Sequence, residues 1–385
     1  MTKMSVELEQ DKMVPLPAEA GVLVGEDIYF FSSQYNLLYK IHMPDFTTAI
    51  VSYIPCGKAN TLEWFRKALF WKGKLLFIPS CAEKVWIFDL GTKEWDSIVI
   101  DYPYKQIKFW DAVIYKDCVF LLGAFYPAIL KIELNNYAVT YLNIVCRPGG
   151  NLEEGLILTQ AVRIGSIVYS PERTSSYVLV LDLDTAEYEW CQVGSIGNKY
   201  SGIACDGENF WISSGECGSI VKWNGRFKWE EFQVPSEIAK RSYQFIGVIC
   251  DENRVCFLTQ QDGRSFEIQN GLSGGVCMSL TAKTRRYIHL EHYENDVIVL
   301  MQGNGCLDVK WLGKWIKGNC EMHASELRAY LYQGQLQDMY REKDILQEER
   351  IFTIKEYVKL FLNTEKKQTY SANEEKRSNI WQAVK

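Results

Sequence analysis

Short apolar runs recur along the chain, and polar residues that favour tight turns separate them. Runs of four to six apolar residues bounded by such turns predict β-strands rather than helices. The strongest runs follow one another at intervals of about 45 residues, so the sequence predicts a repeated unit built from strands. These runs begin at Ile28, Leu75, Val119, Ile167, Phe210, Val255 and Val297.

Each run is the second strand of a predicted four-stranded unit. The strand before it ends in a pair such as Lys72-Gly73, Lys116-Asp117 or Asp206-Gly207, and these pairs favour hairpin turns. A third strand follows, as in KVWIFDL and YVLVLDL, and a further turn leads to a fourth strand. Seven repeats of this unit predict an all-β fold, a seven-bladed β-propeller of four-stranded blades.

The two ends of the repeat indicate how the ring closes. The segment VELEQDKMVPLP resembles the fourth strands of other units, whereas the fourth strand of the seventh unit is short. We therefore predict that the N-terminal strand completes the last blade and leaves no open sheet edge. The predicted domains are a β-propeller at residues 1–320 and a helical C-terminal extension at residues 321–385.

The C-terminal extension carries two patterns typical of short α-helices. In TIKEYVKLFL, apolar residues recur three and four positions apart and form a single stripe, and Ser371 to Glu374 form a capping box before a second helix. The stripe consists of Ile354, Tyr357, Val358, Phe361 and Leu362. These helices either pack on the propeller or present an apolar face for self-association or for a partner.

A Trp recurs at the turn between the third and fourth strands, as in FDLGTKEW; the positions are Trp95, Trp190, Trp229 and Trp315. An aromatic residue, a few turn residues and a Trp also mark this turn in kelch repeats, and residues from about 5 to 320 resemble a kelch-like β-propeller. The Gly-Gly pair that follows the second strand in kelch repeats is absent, with Gly123 as its lone counterpart. The resemblance implies the fold and carries over no functional residue. We expect these Trp side chains to pack between blades.

Composition narrows the class of protein. The chain is 47% apolar and 23% charged, which excludes disorder for most of it, and 14% aromatic, which favours strands. We expect no membrane span, since no apolar stretch reaches about 18 residues, and a cytoplasmic location, since the N-terminus lacks an apolar signal sequence. The twelve cysteines are scattered without a C-x-x-C pair, and there are only four histidines. The sequence therefore predicts no metal site and no cofactor, with most cysteines as buried strand residues.

The candidate ligand site comes from strand order. If strands alternate in direction, the connectors that enter each first strand share one face with the loops between second and third strands. This connector face surrounds the mouth of the central channel, and basic and aromatic residues concentrate in its connectors. The candidate ligand-binding residues are Trp64, Arg66, Lys108, Trp110, Asp111, Tyr200, Arg241, Tyr243, Arg286 and Tyr287, with Lys199 beside them.

Two interpretations of the connector residues remain open. In one, the aromatic side chains stack on a ligand while the basic residues hold an anionic group. In the other, the aromatic side chains wedge between blades and the basic residues form a solvated rim.

No nucleotide-binding or catalytic motif is present, so we predict a non-catalytic binding or scaffolding module. Its partner would be a peptide or protein, with carbohydrate as a further possibility. Nucleic acid is not expected, because the net charge is −6 and no basic stripe is continuous. The alternative is an enzyme that acts on a sugar or a modified peptide, with Asp111 and Tyr287 as acid and base groups.

The C-terminal stripe yields a first prediction. If the stripe mediates self-association, a chain that ends near residue 340 should lose its oligomers and elute as a monomer in size-exclusion chromatography with light scattering. An unchanged oligomeric state in the shortened chain would contradict this role.

Overall fold

A computed structural model describes most of the chain between residues 12 and 331. The described ranges are 12–43, 45–54, 64–100, 107–234, 236–240, 244–251, 254–259, 264–269, 272–279, 287–293, 297–302, 305–312 and 314–331. Seven four-stranded antiparallel sheets follow one another along these ranges. Each sheet is a simple meander in chain order, which is the arrangement of a propeller blade.

The first four blades are built as follows. Blade 1 contains β2 (Ala20–Val24), β3 (Asp27–Ser32), β4 (Leu37–His42) and β5 (Thr47–Tyr53). Blade 2 contains β6 (Phe65–Trp71), β7 (Lys74–Pro79), β8 (Lys84–Asp89) and β9 (Trp95–Val99). Blade 3 contains β10 (Phe109–Tyr115), β11 (Cys118–Gly123), β12 (Ile129–Glu133) and β13 (Val139–Leu142). Blade 4 contains β14 (Val162–Ile164), β15 (Ile167–Pro171), β16 (Tyr177–Asp182) and β17 (Tyr188–Gln192).

Three further blades complete the ring. Blade 5 contains β18 (Tyr200–Cys205), β19 (Phe210–Ser214), β20 (Ile220–Trp223) and β21 (Trp229–Phe232). Blade 6 contains β22 (Phe245–Asp251), β23 (Arg254–Thr259), β24 (Arg264–Gln269) and β25 (Leu272–Ser279). Blade 7 contains β26 (Tyr287–Tyr293), β27 (Val297–Gln302), β28 (Cys306–Trp311) and β29 (Lys314–Asn319). The predicted seven-bladed β-propeller is therefore confirmed.

The first strands of the blades surround the centre of the ring. Contacts join β2 to β6, β6 to β10, β14 to β18, β18 to β22 and β22 to β26, and β26 returns to β2. In five blades the first strand carries a β-bulge at the same place, where one residue is inserted just after the strand begins. A bulge re-aims the inserted side chain, and the inserted residues of blades 2 and 3 are Arg66 and Trp110.

The N-terminal strand closes the ring, but through a different partner from the one predicted. β1 (Met13–Pro15) pairs antiparallel with β30 (Glu321–His323), and the Leu16 amide donates to the Cys320 carbonyl at 2.7 Å. Blade 7 has its own fourth strand, because β29 pairs with β28 along its whole length. The position of the fourth strand in blade 7 is thus already taken by β29, and the N-terminal strand pairs with the segment that follows it.

Helices are few in the described part of the chain. They are a 3₁₀ turn η1 (Leu152–Glu154), a short helix α1 (Ser236–Ala239) and a helical segment at residues 324–331, named α2. Leu327 of α2 is buried against the apolar cluster that joins blades 1 and 7. None of the helices in the ranges given above has the length and apolar character needed to span a membrane. The helices predicted around residues 353–362 and 371–384 lie outside the described residues.

The apolar core lies between the blades rather than within any one of them. Phe31 of blade 1 contacts two rings of blade 2, with centroids 4.6 Å from Phe65 and 6.1 Å from Phe77. Because each face of a blade sheet needs a neighbouring sheet to cover it, these aromatic contacts hold adjacent blades together.

Two of the four repeated Trp residues also join blades. Trp95 Nε1 donates to Ser52 Oγ of blade 1 at 2.9 Å, and Trp190 Nε1 donates to the Val145 carbonyl, which follows blade 3, at 2.8 Å. Packing between blades is confirmed for this pair. Trp229 differs, since it is 45% exposed, and the side chain of Trp315 lies outside the described residues.

The expectation that most cysteines are buried strand residues is not met. The ten cysteines whose side chains the structure describes are free thiols; Cys306 and Cys320 are buried, Cys217 is exposed, and the other seven are half-buried. Burial raises the pKa of Cys191 and of Cys320 to about 12, so these thiols stay protonated and poorly reactive at neutral pH. Among the residues that the structure describes, no three His, Cys, Asp or Glu side chains are placed to share a metal ion.

Packing between blades 1 and 2 can be tested at Phe31. Replacing it with Ala should lower the free energy of unfolding by about 3–5 kcal/mol, because the cavity opens between three aromatic rings. Phe70 is 41% exposed, and Phe70→Ala should cost less than about 1 kcal/mol. Urea unfolding followed by tryptophan fluorescence measures both, and equal losses would show that the core is not concentrated between blades.

Candidate functional site

Connectors on one face of the ring tie blades 3 and 6 to the blades before them. The Lys108 amide, just before β10, donates to the Ser80 carbonyl of blade 2 at 2.9 Å. The Gln244 amide, just before β22, donates in the same way to the Gly215 carbonyl of blade 5 at 2.6 Å. These bonds place the connectors and the loops between second and third strands on one face, as predicted, and this is the connector face.

Two predicted ligand-binding aromatic residues are buried instead of lining this face. Trp64 is 9% exposed and packs on Phe31, and its amide donates to Glu19 Oε2 of the preceding connector at 3.2 Å. Tyr200 is fully buried, and its hydroxyl donates to the Val193 carbonyl. Burial also raises the pKa of Tyr200 above its ordinary value. Both rings are enclosed by the protein, which matches the interpretation of aromatic wedges between blades.

Lys108 is also enclosed. It is 1% exposed, and its Nζ donates to the carbonyls of Cys81 and Ala82 at 3.3 and 3.0 Å. Burial lowers the pKa of its ammonium group, because removal from water disfavours the charged form. The geometry makes Lys108 a link between blades 2 and 3, and it does not present this side chain to a ligand.

Asp111 has both carboxylate oxygens engaged. Oδ1 accepts from the Ala112 amide and Oδ2 from the Ala161 amide, each at 2.8 Å, and the Nζ of Lys67 lies 3.6 Å from Oδ1. Ala161 belongs to the connector of blade 4, so this carboxylate bridges blades 3 and 4. Asp111 is 5% exposed. Its geometry serves to hold the rim of the channel together.

Arg66 and Trp110 lie together on the connector face. Both are half-buried, and the Arg66 Cζ lies 4.2 Å from the centroid of the Trp110 ring. A second guanidinium group, that of Arg173, lies over the same ring with its Cζ at 5.0 Å. Cation–π contacts of this kind contribute about 0.5–2 kcal/mol each. We call these three side chains the Arg–Trp–Arg stack.

The two bulges explain why the stack reaches the surface. The regular alternation of β6 and β10 is interrupted at Arg66 and Trp110, which have no Cα partner on the neighbouring strand. Without the bulge, these side chains would follow the alternation of buried and exposed positions along the strand. With it, they turn outward at the channel mouth while Phe65 and Phe109 remain fully buried.

Sequence reasoning missed Arg173, which lies in the loop between β15 and β16. Its amide donates to the Ile157 carbonyl at 2.9 Å. The neighbouring Glu172 carboxylate accepts from Arg147 Nε at 2.5 Å, from Thr174 Oγ1 at 2.9 Å and from the Ser175 hydroxyl. The signal that could have found Arg173 was its place after a second strand, since such loops share the connector face.

Lys199 extends the basic rim to blade 5. Its Nζ lies 2.9 Å from Glu216 Oε2, and this hydrogen bond raises the pKa of the lysine, while the charge of Arg173 acts in the opposite direction. The positive charges of Arg173 and Lys199 therefore repel each other across the rim. Basic side chains from blades 2, 4 and 5 line this part of the connector face.

The side chains of the remaining predicted residues fall beyond what the structure describes. Arg241, Tyr243 and Arg286 lie outside the described residues. Tyr287 is the first residue of β26, where its Cα pairs with that of Gln302. The structure thus brings Arg66 and Trp110 together on the surface and leaves these four positions as predictions.

A groove of about 390 Å³ lies away from the connector face. Phe46 and Thr48 border it on the side where β4 turns into β5, and Glu321 and His323 of β30 border it opposite. It contains none of the predicted ligand-binding residues.

Comparison with known proteins supports the fold. No protein-family profile matches the sequence, and no curated protein is significantly similar to it. Virginiamycin B lyase from Staphylococcus aureus superposes with a TM-score of 0.59 at 9% identity, covering 76% of this chain and 96% of that chain. YCF48 from Cyanidioschyzon merolae gives 0.55 at 12% identity, covering 77% and 97%, and BamB from Moraxella catarrhalis gives 0.54 at 11%, covering 76% and 84%. At identities this low, the similarity concerns the β-propeller fold alone.

The role of Lys108 as a link between blades can be tested by Lys108→Met. Removing the ammonium leaves the Cys81 and Ala82 carbonyls without this donor, so the free energy of unfolding should fall by about 1–3 kcal/mol at pH 7.

The same variant has a defined pH dependence. The pKa of Lys108 is lower in the folded protein than in the unfolded chain, so the unfolded chain binds more protons between those two values. The advantage of the original protein over Lys108→Met should therefore grow as the pH rises towards 10.5. Urea unfolding at pH 7 and pH 10 measures it, and an advantage that shrinks with pH would contradict the assigned burial.

Proposed function

We propose that this propeller is a non-catalytic binding or scaffolding module that recognises a peptide or protein partner through its connector face. The observation that carries the proposal is the Arg–Trp–Arg stack at the channel mouth, formed by Arg66, Trp110 and Arg173. Its half-buried side chains are held in place by bulges and by a loop with its own hydrogen bonds. A preorganised surface of this kind loses little conformational entropy on binding.

The residue types favour a protein or peptide ligand. Tryptophan and arginine are the side chains most enriched among those that dominate the energy of protein interfaces. Each has a large flat surface. The cation–π contacts, with Arg Cζ atoms 4.2 and 5.0 Å from the centroid of the Trp110 ring, restrict the rotamers of these side chains. The central channel mouth is also where propellers commonly place a ligand site.

The alternative of an enzyme receives less support from the geometry. Asp111 was the sequence candidate for an acid group, and both of its oxygens accept hydrogen bonds from backbone amides at 2.8 Å. A carboxylate that joins two blades in this way is a structural anchor. The similarity to a lyase concerns the fold alone, at 9% identity.

We also propose four narrower assignments. These are the kelch-like grouping, the cytoplasmic location, the boundary near residue 320 and self-association through the C-terminal extension. The kelch-like grouping rests on the aromatic–turn–Trp pattern, of which Trp95 and Trp190 join neighbouring blades. A carbohydrate ligand is kept as a second class, since an aromatic face also stacks on sugars.

The proposal is tested by comparing the host proteins that bind to variants of the connector face and of the opposite face. The original protein, Trp110→Ala with Arg66→Ala, and Lys72→Ala are each immobilised and exposed to extract of the native host, followed by quantitative mass spectrometry. Lys72 is the matched control, because it is exposed in the turn between β6 and β7 on the opposite face, where its Nζ pairs with Asp117 Oδ1 at 2.7 Å. Proteins bound through the connector face should be lost from the double variant and retained by Lys72→Ala.

Identical capture by all three proteins would overturn the assignment of the connector face. Circular dichroism and thermal unfolding of each variant ensure that a loss of capture reports on the surface and not on folding.

A further inference from the structure

We propose, building on the self-association proposed above, that the groove of about 390 Å³ is the docking site for residues 353–362, the segment that carries the apolar stripe. The contact forms within one chain, and the same contact exchanged between two copies gives the self-association. Exchange of an identical segment between copies is a low-cost route to a dimer. The groove is thus the surface that receives the stripe.

The groove lies at the joint where the ring closes. Met13 of β1 and Met322 of β30 line it, and Phe46, in the turn between β4 and β5 of blade 1, lines it as well. Met322 is buried in the apolar cluster that joins blades 1 and 7, whereas Met13 is exposed. The groove therefore combines buried apolar side chains with an exposed one, and its volume is large enough to take a few apolar side chains of a ligand.

Phe46 is held in place on this side of the groove. Its φ of 61° is in the left-handed region, which is rare for a bulky residue, and its amide donates to the His42 carbonyl at 2.9 Å. Its ring lies so close to Gly318 of β29 that a side chain at position 318 would clash with it. Blade 7 therefore fixes a ring of blade 1, and the groove is shaped before any ligand binds.

The charge of the groove is negative. Glu321 of β30 and Glu326 of α2 line it, and no lysine or arginine is among the described residues that do so. Neither carboxylate forms a salt bridge within the described part of the chain. A ligand with both apolar and basic side chains is therefore complementary to this groove.

The sequence of the stripe segment has this complementary pattern. Residues 353–362 predict a helix with one apolar stripe. Lys355 and Lys359 are four positions apart, so they lie on one side of the predicted helix, beside Leu362 of the stripe. The helix therefore has a row of positive charge along one edge of its apolar face.

The chain leaves the ring beside the groove. Leu327 of α2 is buried in the cluster that joins blades 1 and 7, and Tyr330 and Leu331 pack against this cluster. Residues 332–352 separate α2 from the stripe segment. A flexible chain of this length has a root-mean-square span of about 25 Å. Tethering of this kind gives the segment an effective concentration at the groove in the millimolar range.

The test is amide hydrogen exchange of the full chain, followed by mass spectrometry. A helix as short as the stripe segment is marginal in water on its own, so slow exchange in residues 353–362 reports docking and not helix propensity. Exchange in these residues should be at least about tenfold slower than in an unstructured peptide of the same sequence.

Reversal of charge then locates the contact. Glu321→Lys with Glu326→Lys should remove the slow exchange of residues 353–362, because like charges then face each other across the contact. Lys355→Glu with Lys359→Glu should have the same effect. The two pairs of substitutions combined should restore much of the slow exchange, because opposite charges face each other again.

Two matched controls accompany these variants. Glu208→Lys with Glu230→Lys makes the same change of charge at exposed positions of blade 5, and it should leave the exchange unchanged. Within the segment, Phe361→Ser removes a residue of the stripe and should remove the slow exchange, whereas Leu360→Ser lies outside the stripe and should retain most of it. Circular dichroism and thermal unfolding show whether each variant keeps its fold.

Three results would overturn the inference: unchanged exchange of residues 353–362 in the groove variant, an equal change in the blade 5 control, or no recovery when the two charge reversals are combined. Faster exchange in residues 1–11 alone would also overturn it, because the occupant of the groove would then be the N-terminal segment.

Self-association is tested separately by light scattering after size-exclusion chromatography, at low and high protein concentration. The groove variant should lose its oligomers together with the slow exchange. A monomer whose stripe segment exchanges slowly would support the docking site and overturn the exchange between copies. Oligomers that survive reversal of the groove charges would overturn the groove as their site and leave self-association itself in place.

Discussion

Every blade of this protein depends on its neighbour to cover its apolar faces. A four-stranded sheet has two faces, and in this ring the aromatic residues of one blade reach directly into the next, as Phe31 does between Phe65 and Phe77. Backbone hydrogen bonds also join neighbouring blades at the surface. The Lys108 amide of a connector, for example, donates to a carbonyl of the preceding blade. Because the stability of the structure lies between the units, no blade is expected to be stable alone.

The candidate site is a consequence of this dependence. Aromatic residues at the start of the first strands are drawn inward to fill the joints, and Trp64 and Tyr200 show this outcome. The inserted bulge residues are not buried in this way, because a bulge adds one residue that lies outside the regular alternation of buried and exposed positions along the strand. Arg66 and Trp110 are therefore half-buried and, with Arg173, form a stack whose side chains come from three separate blades.

Much of the fold could be predicted from the sequence, because hydrophobic periodicity and turn residues are local signals that each blade repeats. The ring, the seven blades and the connector face all follow from them. The partner of the N-terminal strand could not be predicted, since pairing of β1 with β30 depends on the exact length of β29. The site was predicted only in part. Burial of Lys108 depends on tertiary packing, and Arg173 comes close to Trp110 only because blades 3 and 4 are neighbours.

The pairing of β1 with β30 sets the order in which the molecule can be completed. Met13 pairs with His323, so one strand of the closure leaves the ribosome long before the other exists. At ordinary rates of synthesis the N-terminal strand waits for roughly 15–60 s. During that time blades 1 to 6 can stack on one another in sequence, but the first of them has one face uncovered. A newborn chain therefore carries an unsatisfied apolar surface at its oldest end until its last blade arrives, and this is the interval in which a chaperone would have most to protect.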